Sequence, residues 1–252
     1  VERLGRQLLA RKSPPLASVG GAPMIAEDAR MRAVVELVQR VARSPAPVLI
    51  EGESGTGKEL VARALHAESE QSARPFLAIN TAALPDTLLE SELFGHERGA
   101  FTGAERAREG LFVQARGGTV FLDEVSSMSP SFQGKLLRVL QEKVVRPLGA
   151  SSDKPVDFRL VSATNRDLEQ RIAQGEFRED LFYRLGVVRI FVPPLRERTG
   201  DIAPLARHFL ARAAQVTLPA GASAPRLSDA ALRALEAHPW PGNVRELENA
   251  LQ

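Results

Sequence analysis

The stretch VLIEGESGTGKELVARAL, residues 48–65, constrains the fold of this chain more than any other part of the sequence. A short apolar run leads into a glycine-rich turn, and the turn leads directly into a helical pattern. Gly52, Gly57 and Lys58 match the spacing G-x-x-x-x-G-K. Glycines at these positions let backbone N–H groups turn around phosphate oxygens, and the N-terminus of the next helix adds positive potential. The stretch predicts a strand, a phosphate-binding loop and a helix, with Lys58 reaching the β- and γ-phosphates.

The residues of this loop are the candidates for holding a nucleotide. A Ser or Thr that ligates magnesium usually follows the lysine of such a loop, whereas Glu59 stands there in this chain. A glycine-rich turn before a helix also occurs without a ligand, but the strand before it and the helix after it favour phosphate binding. The predicted nucleotide-binding residues are Gly52, Glu53, Ser54, Gly55, Thr56, Gly57, Lys58 and Glu59.

A second stretch, GGTVFLDEV at residues 117–125, supports nucleotide chemistry. Its apolar run ends in two acidic residues, as expected at the end of a buried strand. Asp123 can hold a hydrated magnesium ion, because this cation keeps several waters and needs few carboxylates. Glu124 can polarise the attacking water as a general base. Two acids after a strand often only begin a solvated loop, and the phosphate-binding loop upstream is what favours the catalytic interpretation.

Five short apolar runs alternate with helical patterns, which predicts an α/β fold. Because these runs are apolar nearly throughout, they indicate a parallel sheet covered by helices on both faces. The predicted strands are residues 47–51, 76–80, 119–123, 158–163 and 187–192.

The rest of the chain divides into a linker and a small helical domain. Pro, Gly and Ser are frequent in residues 13–23, and we assign residues 1–24 to an N-terminal linker segment. Residues 25–196 are predicted to form the α/β nucleotide-binding domain. Strand signals then stop, and residues 197–252 are predicted to form a helical lid domain. Because the chain begins with Val1, we expect it to be a fragment of a longer protein.

Composition excludes several classes of protein. Lys plus Arg number 33 and Asp plus Glu 31, a net charge of +2, and no basic run marks a nucleic-acid-binding surface. The chain has no cysteine, which excludes disulfides, cysteine-based metal sites and cysteine nucleophiles. No stretch approaches the ~20 apolar residues needed to cross a bilayer. We therefore expect a cytoplasmic protein without membrane contact.

Three further polar residues have both a functional and a structural interpretation. Asn165 ends the fourth predicted strand, where its amide could position water or sense the γ-phosphate, or could simply cap the next helix. Arg178 and Arg184, in FREDLFYRL, could reach the γ-phosphate held by a neighbouring subunit, although most such arginines only lie on the surface. An arginine acting across an interface can contribute ~10³–10⁵ in rate.

The turn PWPGN at residues 239–243 precedes the final helix, and we expect Asn243 to cap that helix. Arg245 falls in its first turn. It could contact nucleotide from the helical domain and couple the angle between domains to the phosphate state, or it could be a surface arginine on an amphipathic helix.

The stretch GAFTGA at residues 99–104 poses a different question, because one bulky apolar residue sits among small ones and between charged flanks. A lone Phe101 in such a loop buries little surface. Either the loop folds back onto the core, or Phe101 contacts another molecule.

Taken together, these stretches resemble the central AAA+ ATPase domain of bacterial enhancer-binding proteins, the NtrC-like activators of sigma-54 RNA polymerase. The resemblance covers residues from about 25 to 252. It is carried by GESGTGKE, ESELFGHERGAFTGA, GGTVFLDEV, FREDLFYRL and HPWPGNVRELEN, in the family's order and spacing.

GAFTGA is decisive, since other AAA+ branches lack it, and Glu59 after the loop lysine is typical of the family.

The resemblance implies a role for each candidate. Lys58 and its loop bind ATP, Asp123 the magnesium, and Glu124 the catalytic water. Asn80 corresponds to the switch residue that holds the catalytic Glu, and Thr81 follows it where a Cys is common, with little consequence expected. Asn165 corresponds to sensor I, Arg178 and Arg184 to arginine fingers acting in trans, and Arg245 to sensor II.

The resemblance also implies partners. Ring-shaped hexamers or heptamers are expected, with nucleotide held between subunits. The loop that contacts the sigma factor comprises Gly99, Ala100, Phe101, Thr102, Gly103 and Ala104. A second loop, residues 142–157, is expected to be a hairpin that assists the first. In the family, DNA is bound by a helix-turn-helix domain that this chain lacks.

Two other functions remain open from the residues alone. A different AAA+ motor, such as a helicase or an unfoldase, would use pore-facing aromatic or basic loops. A regulatory nucleotide-binding module would turn over little ATP, and the presence of Glu124, Arg178 and Arg184 argues against it.

Overall fold

The computed structural model describes residues 24–101, 103–217 and 225–251. Almost all of the predicted linker, residues 1–24, lies outside this range, as does Thr102. The boundary predicted between residues 196 and 197 stays a prediction. The strands are β1 (Val48–Glu51), β2 (Phe76–Asn80), β3 (Gly95–His96), β4 (Arg108–Glu109), β5 (Thr119–Asp123), β6 (Val144–Val145), β7 (Lys154–Pro155), β8 (Arg159–Thr164) and β9 (Val188–Phe191).

The helices alternate with these strands and then continue alone. They are α1 (Ala29–Val41), α2 (Lys58–Ala67), α3 (Asp86–Phe94), α4 (Leu111–Gln114), α5 (Pro130–Glu142), α6 (Leu168–Ala173), α7 (Glu179–Leu185), α8 (Ile202–Thr217), α9 (Asp229–Ala237) and α10 (Asn243–Ala250). Short 3₁₀ turns lie at Val125–Ser127, Leu195–Glu197 and Thr199–Asp201.

Five strands form one parallel sheet in the order β2–β5–β8–β1–β9. The predicted α/β fold with a five-stranded parallel sheet is confirmed. Because all five strands run in one direction, the loops after β1, β2, β5 and β8 emerge at the same edge. Ligands of open α/β sheets bind at that edge.

Apolar side chains cover the sheet on both faces. One buried cluster joins Val38 of α1 and Leu65 of α2 to the strands, and another contains Phe132 of α5 and Leu181 of α7. Burying these apolar surfaces provides the main favourable free energy of folding, at roughly 25 cal/mol per Å². The helices packed on both faces fix the position of the sheet edge from which the loops after β1, β2, β5 and β8 emerge.

Helices α8 to α10 form the lid, which has its own small core. Leu195, Phe209, Trp240 and Leu247 are buried there, and Trp240 Nε1 donates to the Leu235 carbonyl at 2.7 Å. No helix in the described part of the chain combines the length and the apolar character that spanning a bilayer requires.

The expectation that Asn243 caps the last helix is wrong. Gly242 holds the cap position, and its N–H donates to the Glu246 carboxylate at 2.7 Å. Asn243 is instead the first residue of α10, fully buried, with φ of 54°. A short amide side chain tolerates this left-handed conformation, and here its hydrogen bonds go to other parts of the chain.

Candidate nucleotide site

The loop between β1 and α2 has the backbone that phosphate binding requires. Gly55 and Gly57 have φ of +76° and +99°, in the left-handed region that favours glycine. A Cβ on Gly55 would lie 2.4 Å from the Gly242 carbonyl oxygen, so the lid approaches the loop as closely as glycine allows. The loop leads into the N-terminus of α2, where free N–H groups favour an anion.

Lys58 lies at the centre of this loop and is only 7% exposed. Its Nζ donates to the carbonyl oxygens of Gly52 at 2.8 Å and Glu53 at 3.0 Å. Burial lowers the pKa of Lys58, and the carboxylates of Glu124 and Asp123 oppose that shift. The ammonium group is therefore held by the loop beside two acids, where phosphate oxygens could replace the carbonyls as its partners.

The two acidic residues end β5 as predicted. The Asp123 carboxylate accepts from the N–H of Glu124 at 2.9 Å. Glu124 has φ of 57° and ψ of 40°, a left-handed conformation that turns the chain sharply at the end of the strand. Burial raises the pKa of both carboxyl groups, and Lys58 opposes the rise. A raised pKa makes Glu124 a stronger base toward water.

Thr81, the residue that stands where the family commonly has a Cys, supports this turn. Its hydroxyl lies 3.0 Å from the Asp123 carbonyl oxygen and 2.8 Å from that of Glu124. Its N–H donates to the Asp123 carbonyl at 3.0 Å, and the residue is 4% exposed. Thr81 therefore fixes the backbone on both sides of the peptide that carries Glu124.

Replacing Thr81 with Val is expected to lower kcat for ATP roughly five- to tenfold, because a hydrogen bond of about 1 kcal/mol that holds Glu124 is lost. Thr81 does not line the cavity, so nucleotide affinity is expected to stay within about twofold. Steady-state kinetics and nucleotide titration measure the two effects. Thr81→Ser is the matched control and should retain most of the rate; equal losses in both variants would contradict this role.

The loop and the two acids open onto one cavity of about 430 Å³. Its polar lining includes Lys58, Asp123 and Glu124, and its apolar lining includes Met24, Ile25, Leu205 and Phe209. Such a lining fits a ligand that has an anionic part and an apolar part. The volume lies in the range typical of small-molecule sites.

Asn80 and Asn165 lie on either side of Glu124. Asn80 lines the cavity, and its side-chain oxygen accepts from the Ala82 N–H at 2.8 Å. A hydrogen bond from the Asn165 backbone opposes the rise in the pKa of Glu124, whereas the Asn165 residue itself is exposed. Their predicted roles as switch and sensor stay predictions.

Arg178 and Arg184 are not part of the cavity lining of their own chain. The Arg178 guanidinium donates to both carboxylate oxygens of Asp180, at 3.0 and 2.8 Å. Arg184 Nη2 donates to the Leu140 carbonyl at 3.2 Å. Both arginines are exposed, so each is available to a second molecule.

Gln133 anchors Arg178 and was missed by sequence reasoning. Its side-chain oxygen accepts from the Arg178 N–H at 2.9 Å, and its amide donates to the Met128 and Glu176 carbonyls, both at 3.0 Å. It is fully buried in α5. A glutamine beside Phe132 on the apolar face of that helix is the signal that would have revealed it.

The lid brings Arg245 to the phosphate loop. Its Nη1 donates to the Ser54 hydroxyl at 3.3 Å, and the residue lines the cavity.

Two loop residues predicted to bind nucleotide have partners of their own. The Glu59 carboxylate accepts from Arg63 Nη2 at 2.6 Å, and the Glu53 carboxylate accepts from Arg196.

The loop of residues 99–104 projects from two closely joined stems. The stems pair as β3 and β4, and a Cβ on Gly110 would lie 2.3 Å from the Leu93 carbonyl oxygen. Phe101 is 38% exposed, with its ring edge-on to His96 at 5.1 Å between centroids. A Cβ on Gly99 or Gly103 would meet nothing within 4 Å, so there is open space at these two glycines.

The second loop is a hairpin, as predicted. Strands β6 and β7 pair antiparallel, and Leu148 in the loop between them bridges to His96. Leu148 also accepts from the Glu97 N–H at 2.9 Å. The two loops are thereby hydrogen-bonded to each other at their bases.

Comparison with known proteins agrees with this geometry. Residues 24–191 match the sigma-54 interaction domain family, and residues 196–252 match the AAA+ ATPase lid domain. The transcriptional regulatory protein ZraR of Klebsiella oxytoca is 52% identical over 238 residues, 94% of this chain and 52% of ZraR. The Nif-specific regulatory protein of Azotobacter vinelandii is 54% identical over 222 residues, 88% of this chain and 42% of that protein.

Solved structures show the same fold. NtrX from Brucella abortus in complex with ADP matches with a TM-score of 0.83 and 36% identity, over 99% of this chain and 52% of NtrX. NtrX in complex with ATP gives the same values. The chain spans about half the length of the curated relatives it matches. This chain belongs to the sigma-54 interaction domain family, the AAA+ ATPase domain of sigma-54-dependent transcriptional activators.

Proposed function

We propose that this chain binds and hydrolyses ATP and, in an oligomeric ring, uses hydrolysis to remodel the sigma-54 polymerase complex through the loop of residues 99–104. The observation that carries the proposal is the meeting of Lys58, Asp123 and Glu124 in one cavity, in a chain of this family. The ADP and ATP complexes of NtrX support a nucleotide as the occupant.

Each group in the cavity has a chemical task in this proposal. Lys58 exchanges its loop carbonyls for β- and γ-phosphate oxygens, which neutralises the negative charge that develops on ADP as its bond to the γ-phosphorus breaks. Glu124 accepts a proton from the attacking water, and the backbone turn held by Thr81 aims its carboxylate.

A magnesium ion fits the donors that are present. Asp123 offers a carboxylate within the cavity, and magnesium is commonly bound by one or two carboxylates together with phosphates and water. When bound, the ion would neutralise charge on the phosphates. Because Glu59 replaces the usual hydroxyl residue, Asp123 would be the main protein ligand.

A ring accounts for the positions of the arginines. Arg178 and Arg184 lie outside their own cavity, and both are exposed on α7 and its cap. In a ring they would reach the γ-phosphate in the next subunit, and Arg178 would leave Asp180 to do so. Ring size, a cytoplasmic location and DNA binding through a separate helix-turn-helix domain belong to the same proposal.

The exposed loop supplies the contact with the sigma factor in this proposal. Phe101 is partly exposed with its ring against His96, and a Cβ on Gly99 or Gly103 would meet nothing within 4 Å. A nucleotide-dependent change of about 5.5 kcal/mol in differential binding would move the loop from almost wholly lowered to almost wholly raised.

Replacing Phe101 with Ala tests the proposal, because it removes the contact and leaves the cavity intact. We expect ATP turnover within about twofold of the original protein and at least a tenfold loss of sigma-54-dependent open-complex formation, since a buried aromatic anchor is commonly worth 2 kcal/mol or more. ATPase and promoter-opening assays measure the two outcomes. Leu88→Ala, at another exposed apolar residue, is the control.

Unchanged promoter opening by the Phe101 variant would contradict the proposal. Stimulation of hydrolysis by DNA or by unfolded polypeptide, without a sigma factor, would instead favour a helicase or an unfoldase. Nucleotide binding with no measurable phosphate release would favour a regulatory module.

A further inference from the structure

The side chain of Glu53 belongs to the phosphate-binding loop but faces the lid. Arg196 donates to both of its carboxylate oxygens, Nη1 to Oε2 at 2.8 Å and Nη2 to Oε1 at 2.6 Å. Asn243 Nδ2 donates to Oε2 at 3.1 Å. We call Glu53, Arg196 and Asn243 the lid latch. The hydrogen bonds from Arg196, with a smaller contribution from Asn243, lower the pKa of Glu53 to about 2, so the carboxylate stays charged near neutral pH.

The latch joins both ends of the lid to one carboxylate. Arg196 lies in the turn by which the chain leaves the sheet, and Asn243 begins the last helix, α10. The Asn243 side-chain oxygen accepts from the Leu195 N–H at 2.8 Å, which ties these two ends to each other. Movement of the lid as a body therefore acts on Glu53.

The backbone of the phosphate loop extends the connection. The Ser54 carbonyl accepts from Asn243 Nδ2 at 3.0 Å, and the Gly55 carbonyl accepts from the Val244 N–H at 3.0 Å. These are consecutive residues of the segment that curls around phosphates. Loop geometry and lid orientation are thus coupled by a contiguous set of hydrogen bonds.

The contact between Arg198 and the Thr56 carbonyl is more deeply buried than the pair of Glu53 and Arg196. Arg198 is 3% exposed and donates to the Thr56 carbonyl at 2.6 Å. In contrast, the side chains of Arg196 and Glu53 are 45% and 42% exposed. Exposed ion pairs contribute little net stability, so this pair can open and close readily. The buried Arg198 contact suits a permanent hinge. Within the latch the exposed Glu53–Arg196 pair is the part that separates readily, since Asn243 is fully buried.

We propose that Glu53 is a positioning residue that holds the lid closed over bound nucleotide, and not a phosphate ligand. The proposal rests on the nucleotide binding proposed above. With the latch closed, Arg245 stays beside Ser54 and the lid side of the cavity stays in place. When the latch opens, the lid turns about the Arg198 contact, the cavity widens and nucleotide leaves.

Replacing Glu53 with Ala tests the latch, and Glu51→Ala is its matched control. Glu51 also accepts two hydrogen bonds from one arginine, Arg189, both at 2.9 Å, but that pair links β1 to β9 and not to the lid. The release rate of a fluorescent ADP analogue and the distance between labels on α1 and α9 are measured. The chain has no cysteine, so Ala33→Cys and Ala234→Cys, both at exposed positions, give specific labelling.

We expect Glu53→Ala to release the ADP analogue roughly two- to fivefold faster, the upper part of the range for an exposed ion pair, and to broaden the label distance. Glu51→Ala should change neither quantity. Arg196→Ala should match Glu53→Ala, and the double variant should be no faster than either single variant, because all three break the same contact. Glu53→Gln, which keeps an oxygen for Asn243, should fall between.

Equal release rates and distances in the Glu53 and Glu51 variants would overturn the latch. Loss of ADP-analogue binding in Glu53→Ala, with the label distance unchanged, would also overturn it and make Glu53 a ligand. Neither readout needs hydrolysis, so a chain that binds nucleotide without turning it over would contradict the proposed ATPase and leave this test intact.

Discussion

Replacing Glu124 with Gln is expected to lower ATP turnover by about 10²–10⁴-fold, the usual contribution of a positioned general base. The amide has nearly the same shape as the carboxylate but cannot accept the proton of the attacking water. Nucleotide affinity should stay within about threefold, since the proposal assigns the phosphate contacts to Lys58 and the loop backbone. Phosphate release under single-turnover conditions and nucleotide titration measure the two quantities.

The variant Lys58→Met distinguishes loss of the general base, Glu124, from loss of nucleotide binding. Lys58→Met should lower affinity as well as rate, because Lys58 is the buried cation at the centre of the loop. Turnover by the Glu124 variant within tenfold of the original protein would show that another group accepts the proton.

Replacing both Arg178 and Arg184 with Ala is expected to lower turnover by about 10³–10⁵-fold while each subunit still binds ATP. Both residues lie outside the cavity of their own chain, so the proposal assigns their effect to a neighbouring subunit. Mixing this double variant with Glu124→Gln subunits tests that directly. An interface that combines Glu124 from one subunit with the arginines of the next contains every group, and activity should return.

The control mixture combines Glu124→Gln with Lys58→Met subunits. Lys58 and Glu124 line the same cavity of one chain, so no interface in this mixture has both groups and activity should stay absent. Equal recovery in the two mixtures, or none in the first, would contradict the assignment of the arginines to a neighbouring site.

Local sequence determined the elements of this protein. Each predicted strand corresponds to a strand of the sheet, and Asp123 and Glu124 stand at the end of β5 as expected. The loop after β1, the helix α2 and the hairpin within residues 142–157 also lie where the sequence predicted them. These features depend on neighbouring residues, because strand and helix periods and the φ of glycine act over a few positions.

Tertiary structure alone decided the partners of the polar side chains. Thr81 contacts residues about 40 positions away along the chain, and Asn243 bonds to Glu53 across 190 positions. Residue type predicted a cap for Asn243, and docking of the lid directs its side chain to Glu53 instead. The nucleotide contact predicted for Glu53 stays a prediction. The residue types in a short stretch show which side chains can form hydrogen bonds. Packing of the sheet and lid cores determines which of those side chains come into contact.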